Sequence, residues 1–153
     1  MNAPLVCALA LPPTVAEADR AFAQAAAEFF TRYAAAFTAL DGDGVAALYA
    51  EPALIVHGGH GTAWPDRAAV RHNMAALCEH YRARGLQHAQ PVLRQAMAQG
   101  ADAGYVDVHW TLQWAPAQDG TPAAPAQFHT GYLLQRTAGR WQLRLCTAYE
   151  ETL

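Results

Sequence analysis

The chain has 153 residues, 53% of them apolar and only 15% charged, with a formal net charge of −3. A chain of this size buries roughly 68–70% of its unfolded surface, so a self-sufficient core is expected, and the composition argues against disorder. Ten basic residues, scattered rather than clustered, disfavour a phosphate-backbone binder, and no nucleic-acid partner is expected.

Residues 1–13 read as an N-terminal extension ahead of a single domain spanning 14–153. The apolar start has no Lys or Arg before it and is interrupted by Pro4, unlike a secretory leader. No other run approaches the ~18 apolar residues of a membrane span, so a cytoplasmic location and no membrane partner are expected. Cys7, Cys78 and Cys146 are far apart and odd in number, and read as thiols rather than a disulfide or metal framework.

Thr14 with Glu17 reads as a capping box opening a long helix. Phe22, Ala26, Phe29, Tyr33, Phe37 and Leu40 recur at helical spacing and form its apolar stripe. Asp41-Gly42-Asp43-Gly44 ends it, and Asp43 is placed to cap a short second helix carrying Val45, Leu48 and Tyr49, which Pro52 stops. Ala53-Leu54-Ile55-Val56-His57 is a short strand, and Gly58-Gly59-His60-Gly61 a turn or hairpin tip. Pro65 suits the first turn of a third helix, with Val70, Met74, Leu77 and Tyr81 buried and Gly85 at its C-terminal end.

The remainder reads as sheet. A strand over residues 86–99 is interrupted by Pro91. From Tyr105 the chain alternates, with Val106, Val108, Trp110, Leu112 and Trp114 on one face and Asp107, His109, Thr111 and Gln113 on the other. A polar loop occupies residues 116–125. Phe128, Thr130, Tyr132 and Leu134 form the inward set of the next strand; after the Ala138-Gly139 turn, Trp141, Leu143, Leu145, Thr147 and Tyr149 line the last. Three N-terminal helices packed on a curved, mainly antiparallel sheet make an α+β fold. The second face, with Asp107, His109, Gln113, Gln127, His129, Gln135, Gln142 and Arg144, reads as polar, either solvated or a self-association surface.

This order resembles the nuclear transport factor 2-like superfamily, whose cone-shaped, cystatin-like α+β roll is shared by ketosteroid isomerase and SnoaL-like proteins. The residues carrying it are Arg32-Tyr33, the run from Gly44-Val45-Ala46-Ala47-Leu48-Tyr49-Ala50 into Ala53-Leu54-Ile55-Val56-His57, Asp66-Arg67-Ala68-Ala69-Val70-Arg71, and Gly139-Arg140-Trp141-Gln142-Leu143. The resemblance spans residues 14–151. It implies an open cone between helices and sheet. It also places Tyr33 on the oxyanion-hole tyrosine of the isomerase pattern, Tyr49 on a supporting tyrosine and His57 on the general-base aspartate. The pattern is broken at Met74, which stands in place of a second supporting tyrosine, and near Tyr132 and Leu133, where the family's protonated aspartate would fall.

The candidate chemistry follows from those residue types. A neutral imidazole serves as a general base near neutral pH, and a phenol in a dry pocket donates to a developing oxyanion. His57 and Tyr33 are therefore the catalytic candidates, for isomerisation or dehydration of a cyclic apolar substrate. Phe37, Tyr49, Trp64, Met74, Tyr81, Trp110, Trp114, Phe128 and Tyr132 are the candidate binding residues, an aromatic lining for a small apolar or cyclic ligand. The alternative is a non-catalytic ligand-binding or dimerisation domain of the same fold, with a homodimer formed through the sheet face. An epoxide-opening hydrolase would need an Asp-Arg-Asp pocket, and strand alternation turns Asp107 away. His57, His60 and His88 lack zinc-ligand spacing, so neither a metal nor another cofactor is expected.

Overall fold

A computed structural model describes residues 15–150; the expected extension, the Thr14 half of the capping box and Cys7 lie outside the described residues. Helix α1 (Val15–Thr38) buries Phe22, Ala26, Phe29, Tyr33 and Phe37, as their spacing predicts. It also buries Phe30 and Ala34, so its apolar face is broader than one stripe. The helix ends where Leu40 takes a left-handed conformation (φ 54°), its amide donating to Phe37 O and the Asp41 amide to Ala36 O. This paired 5→2 and 6→1 arrangement satisfies carbonyls that the helix terminus would otherwise leave open.

Helix α2 (Gly42–Ala46) is capped by Asp41, not Asp43: the Asp41 carboxylate accepts from the Gly44 amide at 2.9 Å. Asp43 instead pairs with Arg71 at 2.8 Å. Tyr49 does not belong to this helix. It opens strand β1 (Tyr49–His57), and Pro52 lies within that strand, after a cis Glu51–Pro52 bond, rather than stopping a helix. Gly58 and Gly59, both at positive φ (56° and 78°), turn the chain tightly into β2 (His60–Trp64), which pairs antiparallel with β1. Asp66 caps α3 (Arg67–Ala83), so Pro65 precedes the cap instead of sitting in the first turn. Val70, Met74, Cys78 and Tyr81 form the buried stripe of α3, with Leu77 only half-buried.

Strands β3 (Leu86–Ala98), β4 (Ala103–Trp114), β5 (Ala126–Thr137) and β6 (Arg140–Ala148) complete a six-stranded sheet of order β2-β1-β6-β5-β4-β3. Every pairing is antiparallel except β1 with β6. The expected α+β, mainly antiparallel architecture is the one observed. Pro91 is accommodated because β3 is an edge strand, where a missing donor costs no ladder bond. Helix α1 is tied to that edge: Thr38 Oγ1 accepts from the Ala89 amide at 3.0 Å and Asp19 Oδ1 from the Ala98 amide at 2.8 Å. The Phe22 ring sits on Gly104, where a Cβ would come within 2.3 Å of it.

The last strand departs from simple alternation. Leu134 pairs with Leu143 but Leu133 pairs with Leu145, leaving Arg144 as an extra residue, a bulge that reverses parity. Beyond Leu143 the inward residues are therefore Cys146 and Ala148, not Leu145, Thr147 and Tyr149. Arg144 is held outside by Gln135 Oε1 (2.8 Å) and the Pro52 carbonyl. The outer face is consequently less polar than its sequence pattern predicts. The paired positions Leu54, Leu145, Leu133, Tyr105 and Met97 form an apolar row across five strands.

Candidate functional site

Helices and sheet diverge to leave a cavity of about 260 Å³ between them. Tyr33 and Phe37 of α1 enter it because they lie one turn apart on the buried stripe. From α3 come Asn73, Met74, Leu77 and Tyr81. The sheet supplies Tyr49, Ile55 and His57 from β1, Thr62 and Trp64 from β2, Ala89 from β3, and Trp110 and Leu112 from β4. Phe128, Thr130 and Tyr132 of β5 and Cys146 and Ala148 of β6 complete it.

The structure thus brings Tyr33 and His57 to one cavity, together with Phe37, Tyr49, Trp64, Met74, Tyr81, Trp110, Phe128 and Tyr132. Trp114 is not among the lining residues. It ends β4 beyond the cavity, in a T-shaped contact with Tyr81 (5.9 Å between ring centroids) and with its face under the Arg84 guanidinium at 4.3 Å. Alternation places it on the correct face of β4 but says nothing about where the cavity stops.

Deep in the cone two pairs of polar atoms satisfy one another. The Tyr33 and Tyr49 hydroxyls, both buried, are 2.9 Å apart. Trp110 Nε1 donates to the Tyr132 hydroxyl at 3.0 Å. Rings pack tightly around these pairs, with Phe30 and Tyr132 centroids 4.7 Å apart and Tyr33 and Phe37 5.0 Å apart. At the open side stand three exposed polar residues, His57, Thr62 and Asn73. None of the described residues that line the cavity carries a carboxylate, and His57 places an imidazole at its opening.

Several lining residues were not singled out from sequence. Ile55 shares strand parity with His57, and Leu112 and Thr130 belong to the predicted inward sets, so a signal existed for all three. Cys146 and Ala148 were hidden by the Arg144 bulge. Asn73 lies three residues after Val70 and four before Leu77, so helical spacing sets it at the edge of the α3 stripe, where a polar residue gives no sign that it borders a cavity. Cys78, also buried, has its thiol pushed up from the ordinary value by burial, with Asp41 adding to the rise and Arg82 opposing it. Among the described residues no group of three or more His, Cys, Asp or Glu side chains is arranged to hold a metal ion. Likewise no described helix is long and apolar enough to cross a membrane.

Residues 23–151 match the family model described as NTF2-like protein (DUF6841). The chain belongs to this NTF2-like family. No match was found among curated proteins. Among solved structures, an NTF2-like protein of unknown function from Shewanella oneidensis superposes with a TM-score of 0.66 at 13% identity, covering 84% of this chain and 98% of that one. A domain of unknown function with a cystatin-like fold from Nostoc punctiforme gives 0.66 at 14% identity, over 87% and 79% of the two chains. A ketosteroid isomerase-like protein from Erwinia carotovora atroseptica gives 0.62 at 18% identity, over 90% and 98%. At these identities the likeness establishes the NTF2-like, cystatin-like fold and leaves chemistry to the site itself.

Proposed function

We propose that this chain is a small-molecule pocket protein that takes a cyclic, largely apolar ligand into the cone and performs acid–base chemistry on it, isomerisation or dehydration. The observation that carries this reading is the shared cavity, with an exposed imidazole at its opening and a buried pair of phenols at its base. His57 removes a proton from carbon beside a carbonyl, and Tyr33 donates to the oxygen on which charge develops. The Tyr49 hydroxyl, 2.9 Å away, is placed to donate to Tyr33 while Tyr33 donates to the ligand, which polarises the Tyr33 donor.

The test is solvent-deuterium incorporation next to the carbonyl of a bicyclic ketone such as 2-tetralone, followed by NMR with the full chain. His57→Ala is expected to slow exchange by about 10²–10⁴-fold with an unchanged unfolding midpoint, since His57 is exposed. Exchange no faster than buffer, or equal in the variant, rejects the catalytic reading. A non-catalytic ligand-binding domain is favoured by one observation: the deep hydroxyls already bond within the protein. That reading predicts binding that survives His57 replacement.

The same proposal extends to assembly. The apolar row Leu54, Leu145, Leu133, Tyr105 and Met97 is flanked by a polar cluster in which Asp107 accepts from Tyr149 (2.9 Å) and meets His129 (3.1 Å). An apolar centre with a polar rim suits a two-fold interface with a second copy. Leu133→Arg is expected to convert a dimer to monomer in sedimentation equilibrium; an unchanged mass excludes this face.

A further inference from the structure

Thr130 is a polar residue in the buried core, 2% exposed. It lines the cavity, and its Oγ1 has no hydrogen-bond partner among the described residues. Three other threonines make such bonds: Thr31 donates to Ala27 O (2.9 Å), Thr147 to Gly131 O (3.1 Å), and Thr38 accepts from Ala89 (3.0 Å). A buried hydroxyl without a partner is disfavoured, and valine has the same shape and suits a strand at least as well. The hydroxyl at this position therefore calls for a partner that comes from the cavity.

Its place in the sheet says what that partner is attached to. Thr130 lies opposite Val108 on β4, between Phe128 and Tyr132 on the same face. Carrying the Gly131–Thr147 register on by one residue sets it beside Ala148, which pairs with His57. His57, Ala148 and Thr130 thus form one row, the outer two separated by two interstrand spacings, roughly 10 Å between backbones. Ala148 presents only a methyl group, so the space above it stays open between the imidazole and the hydroxyl.

We propose that Thr130 is the anchoring residue for the ligand, and that the ligand carries an oxygen, carbonyl or hydroxyl, which hydrogen-bonds to Thr130 Oγ1 while its apolar ring system lies over Ala148 toward His57. This rests on the pocket reading above and narrows it: besides the carbonyl that meets Tyr33, the ligand carries a second oxygen, at the end away from His57, that Thr130 recognises. Thr130 acts here as a specificity-determining residue.

The experiment compares 2-naphthol with naphthalene by fluorescence titration of the wild type, Thr130→Val and Thr130→Ser. Thr130→Val is expected to weaken 2-naphthol binding by about three- to tenfold and naphthalene binding by less than about twofold, with Thr130→Ser restoring 2-naphthol affinity. Without ligand, Thr130→Val should melt at or above the wild-type temperature, because the hydroxyl it removes bonds to nothing in the fold. Equal affinity of wild type and Thr130→Val for 2-naphthol overturns the anchor while naphthalene binding leaves the pocket standing. Loss of both probes together with a lowered melting temperature makes Thr130 structural and also overturns it. Failure of the wild type to bind either probe rejects the pocket reading, and the anchor with it.

Discussion

The two faces of the sheet are cut from the same strands, yet they handle polar atoms in opposite ways. On the inner face, hydroxyls and an indole pair with one another, Tyr33 with Tyr49 and Trp110 with Tyr132, inside a shell of rings. On the outer face, Tyr149 and His129 both meet the Asp107 carboxylate, and the rings of His109 and His129 lie 4.8 Å apart. Neutral pairs tolerate a dry cavity, whereas a carboxylate buried there would carry a heavy desolvation cost. Charge is kept outside, and the inner face is left able to receive an apolar ligand.

The largest test of this contrast is packing. Phe30→Ala on the inner face should cost about 3–5 kcal/mol in urea unfolding, because Phe30 is fully buried against Tyr33 and Tyr132. Leu133→Ala, half-buried on the outer row, should cost far less in the monomer. Comparable losses would erase the distinction between the faces.

A smaller effect should separate the faces functionally. At Gly131 a Cβ would meet Thr147 Oγ1 at 2.4 Å and the Tyr105 hydroxyl at 2.5 Å, both on the outer face. Gly131→Val is expected to lower stability by roughly 1–3 kcal/mol yet leave naphthalene affinity unchanged; loss of probe binding would show the two faces to be mechanically coupled. Smaller again, Tyr49→Phe should cost about 0.5–1.5 kcal/mol in thermal unfolding, and a neutral result would mean the phenol pair does nothing for the inner face.

The smallest effect is alkaline. Tyr149 is more than half exposed, and its hydroxyl donates to Asp107. Burial first, then that hydrogen bond and the nearby carboxylate charge, raise its pKa above the ordinary 10.0. The folded state holds this proton more tightly than the unfolded one, so the contribution is intact below about pH 10 and is lost as pH rises through the folded value. Tyr149→Phe should flatten the fall of the urea midpoint between about pH 9 and pH 11. Tyr105, raised by burial and by Asp107, leaves part of the slope in place. An unaltered slope would remove Tyr149 from the outer network.

Much of this was legible before any coordinates. Helical spacing in α1 and alternation in β4 and β5 are local consequences of backbone geometry, so Tyr33, Trp110 and Tyr132 could be assigned to the inner side from sequence. The resemblance carried His57 and Tyr49 to the same cavity, even though Tyr49 was expected on a helix. Local rules failed where two partners compete for one role. Asp41 rather than Asp43 caps α2, because the Gly44 amide lies within reach of its carboxylate while Asp43 meets Arg71.

The sequence by itself determined which residues could share a face, because periods of 3.6 and 2 are written into each chain segment. Only the tertiary structure decided where a face changes hands and where a cavity ends. The Arg144 bulge depends on strand pairing with β5, so the transfer of Leu145 and Thr147 outward, and of Cys146 and Ala148 inward, has no trace in the pattern of β6 alone. The exclusion of Trp114 and the Thr130 hydroxyl's lack of a partner among the described residues likewise depend on which side chains from distant segments come within reach.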